Sequence, residues 1–163
     1  MSKNQFYETI TEMINDLPIG TRLLGLDIGS KTIGLAITDS TFTVSTAVDT
    51  IRRTKYTKDL VLLKKIIDNR SVGGLVIGLP ISMDGTEGPA CQSIRQFGKN
   101  IITSIEIAVT FWDERLSTSA VERFLINEAN VTRKRRKKII DKLAATYILQ
   151  GAIDSLRNIE TNS

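Results

Sequence analysis

Three acidic positions carry the chemistry available to this sequence. Asp27 closes a short apolar run, RLLGLD, and precedes Ile28-Gly29-Ser30. A carboxylate held at a rigid strand end before a tight glycine turn is placed to bind a divalent cation. It could equally do no more than accept hydrogen bonds from turn amides. Asp113 and Glu114 close a second apolar run, IEIAVTFW, and are followed by Arg115. Ligands bind at strand ends in open α/β sheets, although an acid–arginine pair there is also an ordinary surface ion pair. Successive strand residues point to opposite faces, so only one of these two acids can serve a given site. Asp141 shares a helical stripe with Ala144 or Ala145, Ile148 and Ala152. A charge on a stripe that packs against a sheet needs a partner, and a cation is a good one; near a helix start the dipole alone also favours an acid. Oxygen-only ligands suit Mg²⁺ or Mn²⁺. Two such ions about 3.5–4 Å apart support phosphodiester hydrolysis.

The rest of the composition narrows the choice. The chain has 163 residues and no histidine, which excludes serine and cysteine triads, HExxH zinc sites and a histidine general base. Cys91 is the single cysteine, so there is no internal disulfide and no cysteine-rich zinc site. No apolar stretch approaches the ~20 residues of a membrane span, and the N-terminus lacks a signal-peptide apolar core, so a cytoplasmic protein is expected. The formal charge is +4, yet the run Arg133, Lys134, Arg135, Arg136, Lys137, Lys138 alone carries six positive charges. Basicity is therefore local. Such a run reads as a loop or helix lead-in, and its best-motivated partner is a polyanion.

These residues need elements to position them. Residues 1–20 carry a helical periodicity (Phe6, Ile10, Met13, Ile14) before the turn at Pro18 and Gly20. RLLGLD and IGLAITD flank a tight Gly29 loop and predict a hairpin; alternation in Ile33, Leu35 and Ile37 has strand period. A third strand is expected around Val44–Val48. A helix capped by Thr57 is expected to run to about Asn69, with Gly73-Gly74 closing that unit. LVIGLP reads as a buried strand and ISMDGTEGP as a loop. A helix bearing Ala90, Ile94, Phe97 and Ile101 follows, then the strand IEIAVTFW, in which Trp112 is more readily core than a base-stacking residue. Ser117 or Thr118 would cap a helix carrying Val121, Phe124 and Leu125, and a final helix is expected over about Lys138–Arg157. Meander strands followed by β-α-β alternation predict a mixed sheet with helices on both faces. The spacing of Gly25, Gly29 and Gly34 matches neither a P-loop nor GxGxxG, since Leu35-Ala36 stand where a P-loop needs Lys-Ser/Thr.

The stretches LLGLDIGSKTIGLAITD, LVIGLPISMDGTEGP, FWDERLST and DKLAATYILQ, in this order, resemble the YqgF family of ribonuclease H-like proteins. That family is described as Holliday-junction resolvases and as pre-16S rRNA nucleases. The resemblance implies an α/β, ribonuclease H-like, mixed five-stranded sheet with helices on both faces. It implies a nuclease unit over residues 21–158, between an N-terminal extension (1–20) and a tail (159–163). It also implies a catalytic metal site of Asp27, Glu114 and Asp141, holding Mg²⁺ or Mn²⁺, and thereby selects Glu114 over Asp113. Lys31 and Arg115 are expected beside the site with Arg133–Lys138 on nucleic acid, and the loop bearing Gly78, Pro80, Asp84 and Gly85 forms one wall. The expected function is metal-dependent hydrolysis in processing the 5′ end of pre-16S rRNA, on structured RNA and possible ribosomal particles, by a monomer or homodimer. Resolution of branched DNA is the alternative. The DxGxxxxG turn also resembles that of actin-like ATPases, but those use two such domains around the nucleotide. A non-catalytic nucleic-acid-binding module is the third reading.

Overall fold

A computed structural model describes residues 5–116 and 132–162. The elements are β1 (Gln5–Tyr7), α1 (Ile10–Asn15), β2 (Arg22–Ile28), β3 (Thr32–Thr38), β4 (Ser45–Arg52), α2 (Tyr56–Asn69), β5 (Val72–Leu79), α3 (Pro89–Ser104), β6 (Ala108–Asp113) and α4 (Arg133–Asn162). The strands form one sheet in the order β1-β6-β5-β2-β3-β4. β2, β3 and β4 pair antiparallel, while β2, β5, β6 and β1 run parallel. The mixed sheet is as expected, but among the described residues it has six strands instead of five. The sixth is β1, inside the N-terminal segment whose periodicity reads as helical. Phe6 lies on that strand, and only Ile10–Asn15 is helical, started by Thr9 Oγ1 accepting from Glu12 N–H.

Each face of the sheet has its own core, because side chains alternate along a strand. One core joins Leu24, Leu26, Ile33, Leu35, Leu75 and Ile77 to α2 and α3 through Leu63, Ile94, Phe97 and Ile101. The other joins Leu23, Ala36 and Val76 to α1 and α4 through Met13, Ala145, Ile148, Leu149 and Ala152. On that second face the sheet residues are small where α4 crosses. A Cβ on Gly25 would come within 2.8 Å of Leu149 Cβ and 3.2 Å of the Ala145 carbonyl oxygen. The helix rests directly on the strand backbone.

Three expected boundaries move. α2 begins at Tyr56, ahead of Thr57, and buried Asp59 in its first turn accepts from Thr54 N–H at 3.1 Å. The turn from α2 into β5 is made at Ser71, φ +56°, whereas Gly73 and Gly74 lie within β5, where Thr21 packs too close to Gly73 for a side chain and Met13 packs tightly on Gly74. α4 starts at Arg133 rather than near Lys138, so the basic run forms its first turns and is no loop. Thr132 Oγ1 accepts from Arg135 N–H at 3.2 Å and so starts the helix. The helix expected after Ser117 or Thr118 falls in residues 117–131, outside the described residues.

Candidate metal centre

Asp27 sits one residue from the end of β2, paired across the hairpin with Gly34. The parity of β2 puts it on the α4 face, with Leu23 and Gly25. In β5, Val76 faces α4, and so does Gly78, one step beyond the paired residues Leu26 and Ile77. Glu114 follows the last residue of β6. Its N–H donates to Leu79 O at 3.1 Å, which prolongs the ladder and fixes the residue at the sheet end. A Cβ on Gly78 would lie 2.6 Å from Glu114 Oε1 and 2.6 Å from Ile148 Cδ1. Asp27, Gly78 and Glu114 thus share one face, with the missing side chain of Gly78 leaving room for the Glu114 carboxylate.

The electrostatics follow from this packing. Burial, then the Asp27 carboxylate, then the Asp113 carboxylate push the Glu114 pKa up to about 7. A half-buried acid whose pKa is raised by a neighbouring acid is an environment that a bound cation would stabilise. Hard oxygen donors with excess negative charge fit a divalent cation such as Mg²⁺ or Mn²⁺. Among the described residues no group of three His, Cys, Asp or Glu side chains gathers to hold a metal. Asp141 stands in α4 one turn before Ala145, in the register of the stripe that packs on the sheet, and its side chain lies outside the described residues. The C-terminal part of α4 lies by the start of β2, since Gln150 Oε1 accepts from Ser45 N–H, and Ser45 pairs with Thr38. The N-terminal part, with Asp141, therefore runs toward the end of the sheet that holds Asp27 and Glu114.

The two acids of the Asp113-Glu114 pair divide as strand geometry requires. Asp113 is held by Arg115, whose Nη2 and Nε donate to its carboxylate at 2.6 and 2.9 Å, and the guanidinium holds the Asp113 carboxyl below its usual range. Arg115 Nη1 also reaches Ser82 O at 3.3 Å. Its guanidinium thus braces the 80–88 loop against the end of β6. That loop is closed by Asp84, which accepts from Thr86 N–H and Oγ1, and by Gly85 at φ +89°, a conformation that requires glycine. Lys31 is exposed at the tip of the hairpin that follows Asp27. Lys134 and Arg135 are exposed on the first turn of α4, and the side chains of Arg133, Arg136, Lys137 and Lys138 lie outside the described residues.

One supporting residue carries no motif signal. Arg53 Nη1 donates to Gly29 O at 2.6 Å, its backbone N–H donates to Lys31 O at 2.9 Å, and its guanidinium sits 5.5 Å from the Phe97 ring centroid. It ties the turn after Asp27 to α3. Only its place just past an expected strand, beside a second arginine, could have marked it.

A family model described as "RuvX: Holliday junction resolvase" matches residues 21–155. A protein of Paramagnetospirillum magneticum named "Putative pre-16S rRNA nuclease" is 55% identical over 144 residues, covering 88% of this chain and 92% of that protein. A protein of the same name from Ruegeria pomeroyi is 52% identical over 152 residues, covering 93% and 98%. The solved RuvC of T. thermophilus in complex with a Holliday junction substrate is 7% identical, with a TM-score of 0.47 over 82% of this chain and 90% of that one. The match over residues 21–155 and the half-identical relatives place this chain in the RuvX family, the YqgF family of its motifs.

Proposed function

We propose that this chain is a divalent-metal-dependent nuclease that hydrolyses phosphodiester bonds in processing the 5′ end of pre-16S rRNA. The observation that carries the reading is Glu114, half-buried beside Asp27 on the α4 face of the sheet, with its pKa raised to about 7 by burial and by that neighbour. Asp27, Glu114 and Asp141 would hold Mg²⁺ or Mn²⁺. When bound, such an ion supplies a Lewis acid for the phosphoryl oxygen and lowers the pKa of water at the site. The chain itself orients and binds. Glu114 is fixed by the Leu79 carbonyl, and Arg115 holds the loop wall through Asp113 and Ser82. Lys31 and the basic start of α4, with Lys134 and Arg135 exposed, supply the phosphate contacts. The nuclease unit is residues 21–158, the partner is structured RNA, free or on ribosomal particles, and the compartment is the cytoplasm. Among the described residues no helix is long and apolar enough to cross a membrane.

The test is cleavage of a pre-16S 5′-leader transcript with Mg²⁺ or Mn²⁺, with a chelator as control. Asp27→Asn and Glu114→Gln are each expected to lose at least about a hundredfold in rate. Wild-type rates in both variants would overturn the site. The family model's description favours a second reading, cleavage of four-way DNA junctions. Symmetric junction cutting needs two active sites and hence a dimer. Preference for junctions over the transcript, with a dimeric mass in solution, would select that reading.

A further inference from the structure

The sheet end that carries Glu114 has a second concavity on its other face, and residues outside the family-matched segment build one of its walls. A cavity of about 430 Å³ opens between β1, α3 and the end of β6, and Phe6, Leu79, Lys99, Phe111 and Asp113 line it. That volume lies within the range of small-ligand sites. Phe6 and Phe111 stack with ring centroids 5.4 Å apart and planes 17° from parallel. α3 admits the pair because residue 98 is glycine: a Cβ there would lie 2.8 Å from Phe111 Cζ and 3.4 Å from Phe6 Cε1. Phe6 nevertheless remains 44% exposed. The ring thus packs inward on Phe111 and still presents apolar surface to the cavity.

The charges sort the candidate ligands. Asp113 is matched by Arg115, and Arg95 is matched by Glu87 at 2.7 and 2.8 Å; the Arg95 guanidinium also lies 5.1 Å from the Phe111 ring centroid, so the open aromatic surface is that of Phe6. Lys99 and Glu8 enter no ion pair among the described residues, so of the charges on the wall these two stand outside the described pairs. A bare phosphate or a polyanion track would want several cations. A flat ring with donor and acceptor edges fits better, and the exposed ring of Phe6 supplies its stacking surface. Asp113 faces this cavity, while Glu114, the next residue, belongs to the opposite face. A strand lying across the end of β6 therefore meets both sites one residue apart.

We infer that this cavity receives one unpaired nucleobase of the substrate strand, stacked on the exposed ring of Phe6, next to the scissile phosphate. The inference rests on the nuclease reading for its ligand. It also assigns residues 5–8 a role in substrate binding.

The test uses the full chain and a labelled short single-stranded RNA in a chelating buffer, so that affinity is read without cleavage. Phe6→Ala and Phe6→Leu are each expected to weaken binding about five- to a hundredfold, and Phe6→Tyr to restore it, because stacking needs the ring and not its bulk. Scanning one abasic position along the RNA should find a site where the missing base weakens binding to the wild type and not to Phe6→Leu. Unchanged affinity in Phe6→Ala, wild-type affinity in Phe6→Leu, or failure of Phe6→Tyr to restore binding would each overturn the inference. So would an abasic penalty equal in wild type and Phe6→Leu. Failure of the nuclease reading would show elsewhere, as wild-type cleavage rates in both Asp27→Asn and Glu114→Gln, and would leave these affinities untouched.

Discussion

Glu114 Oε1 lies 2.6 Å from the point that a methyl carbon on Gly78 would occupy. The other atom met there is Ile148 Cδ1, also the far end of a flexible side chain. Gly78→Ala therefore displaces side chains and leaves the backbone in place. Its stability cost is expected at the low end for overpacking, about 1 kcal/mol, while cleavage falls about tenfold or more because the displaced group is Glu114. Gly25→Ala makes the contrast: it meets Leu149 Cβ and the Ala145 carbonyl, so α4 itself must move, at a cost of about 2–3 kcal/mol. Thermal melting beside cleavage assays separates the two. Equal losses of stability in both variants would contradict this difference.

Glu114 also sets a pH dependence. Its folded pKa is about 7, raised from 4.5, first by burial and then by Asp27. The folded state thus holds a proton that the unfolded state has lost between pH 4.5 and 7. Stability of the metal-free protein falls as pH rises through that window, and the full loss is reached above 7. Glu114→Gln removes the penalty. In a chelating buffer at pH 8 it is expected to stabilise the fold by about 1–3 kcal/mol, allowing for solvent screening, and to be near neutral at pH 4. Melting curves at both pH values check this. A destabilised Glu114→Gln at pH 8 would show that the contacts of the ionised carboxylate outweigh its burial and the repulsion from Asp27.

Arg53 anchors the turn that follows Asp27 with its guanidinium on Gly29 O, beside the backbone N–H bond to Lys31 O that any residue here would keep. Lysine keeps the charge but cannot reproduce the planar guanidinium that bonds Gly29 O while lying beside Phe97. Arg53→Lys is expected to cost about 1.5–3 kcal/mol, the range for hydrogen bonds to charged groups. It should lower the cleavage rate at saturating substrate and leave RNA affinity in chelating buffer within about twofold. A change in affinity with an unchanged rate would place Arg53 on the substrate instead.

The legible parts of this molecule were those in which local pattern and tertiary demand coincide. The β2–β3 hairpin, β5 and the buried stripe of α4 were readable because Ile33, Leu35 and Ile37 alternate and Ala145, Ile148 and Ala152 repeat at helical spacing. Asp27 and Glu114 were readable as chemistry-bearing residues because they sit at strand ends. Phe6 reads as helical in the sequence because three strand residues are too few to show a period of two, and β1 exists only through its pairing with β6. The start of α4 was missed because six adjacent cations oppose helix formation locally, whereas Thr132 and the packing downstream support it. Arg53 and Gly78 were beyond pattern: one acts through a backbone carbonyl 24 positions away, the other through an absent side chain.

The first turns of α4 are positive at the positive end of the helix dipole, with no acid in the first turn. Each cation there opposes the dipole by about 0.3–1 kcal/mol at low ionic strength. The arrangement is unfavourable for the free protein and becomes favourable once phosphates lie against it. Replacing exposed Lys134 and Arg135 together by glutamine should therefore move two measurements in opposite directions. Without RNA, the melting temperature at low salt should rise slightly. With RNA, affinity should fall, and the slope of log affinity against log salt should shrink by about 1.5–2, the value for two lost phosphate contacts. A thermal gain with an unchanged salt slope would leave these two residues as a strained helix start that the substrate does not touch.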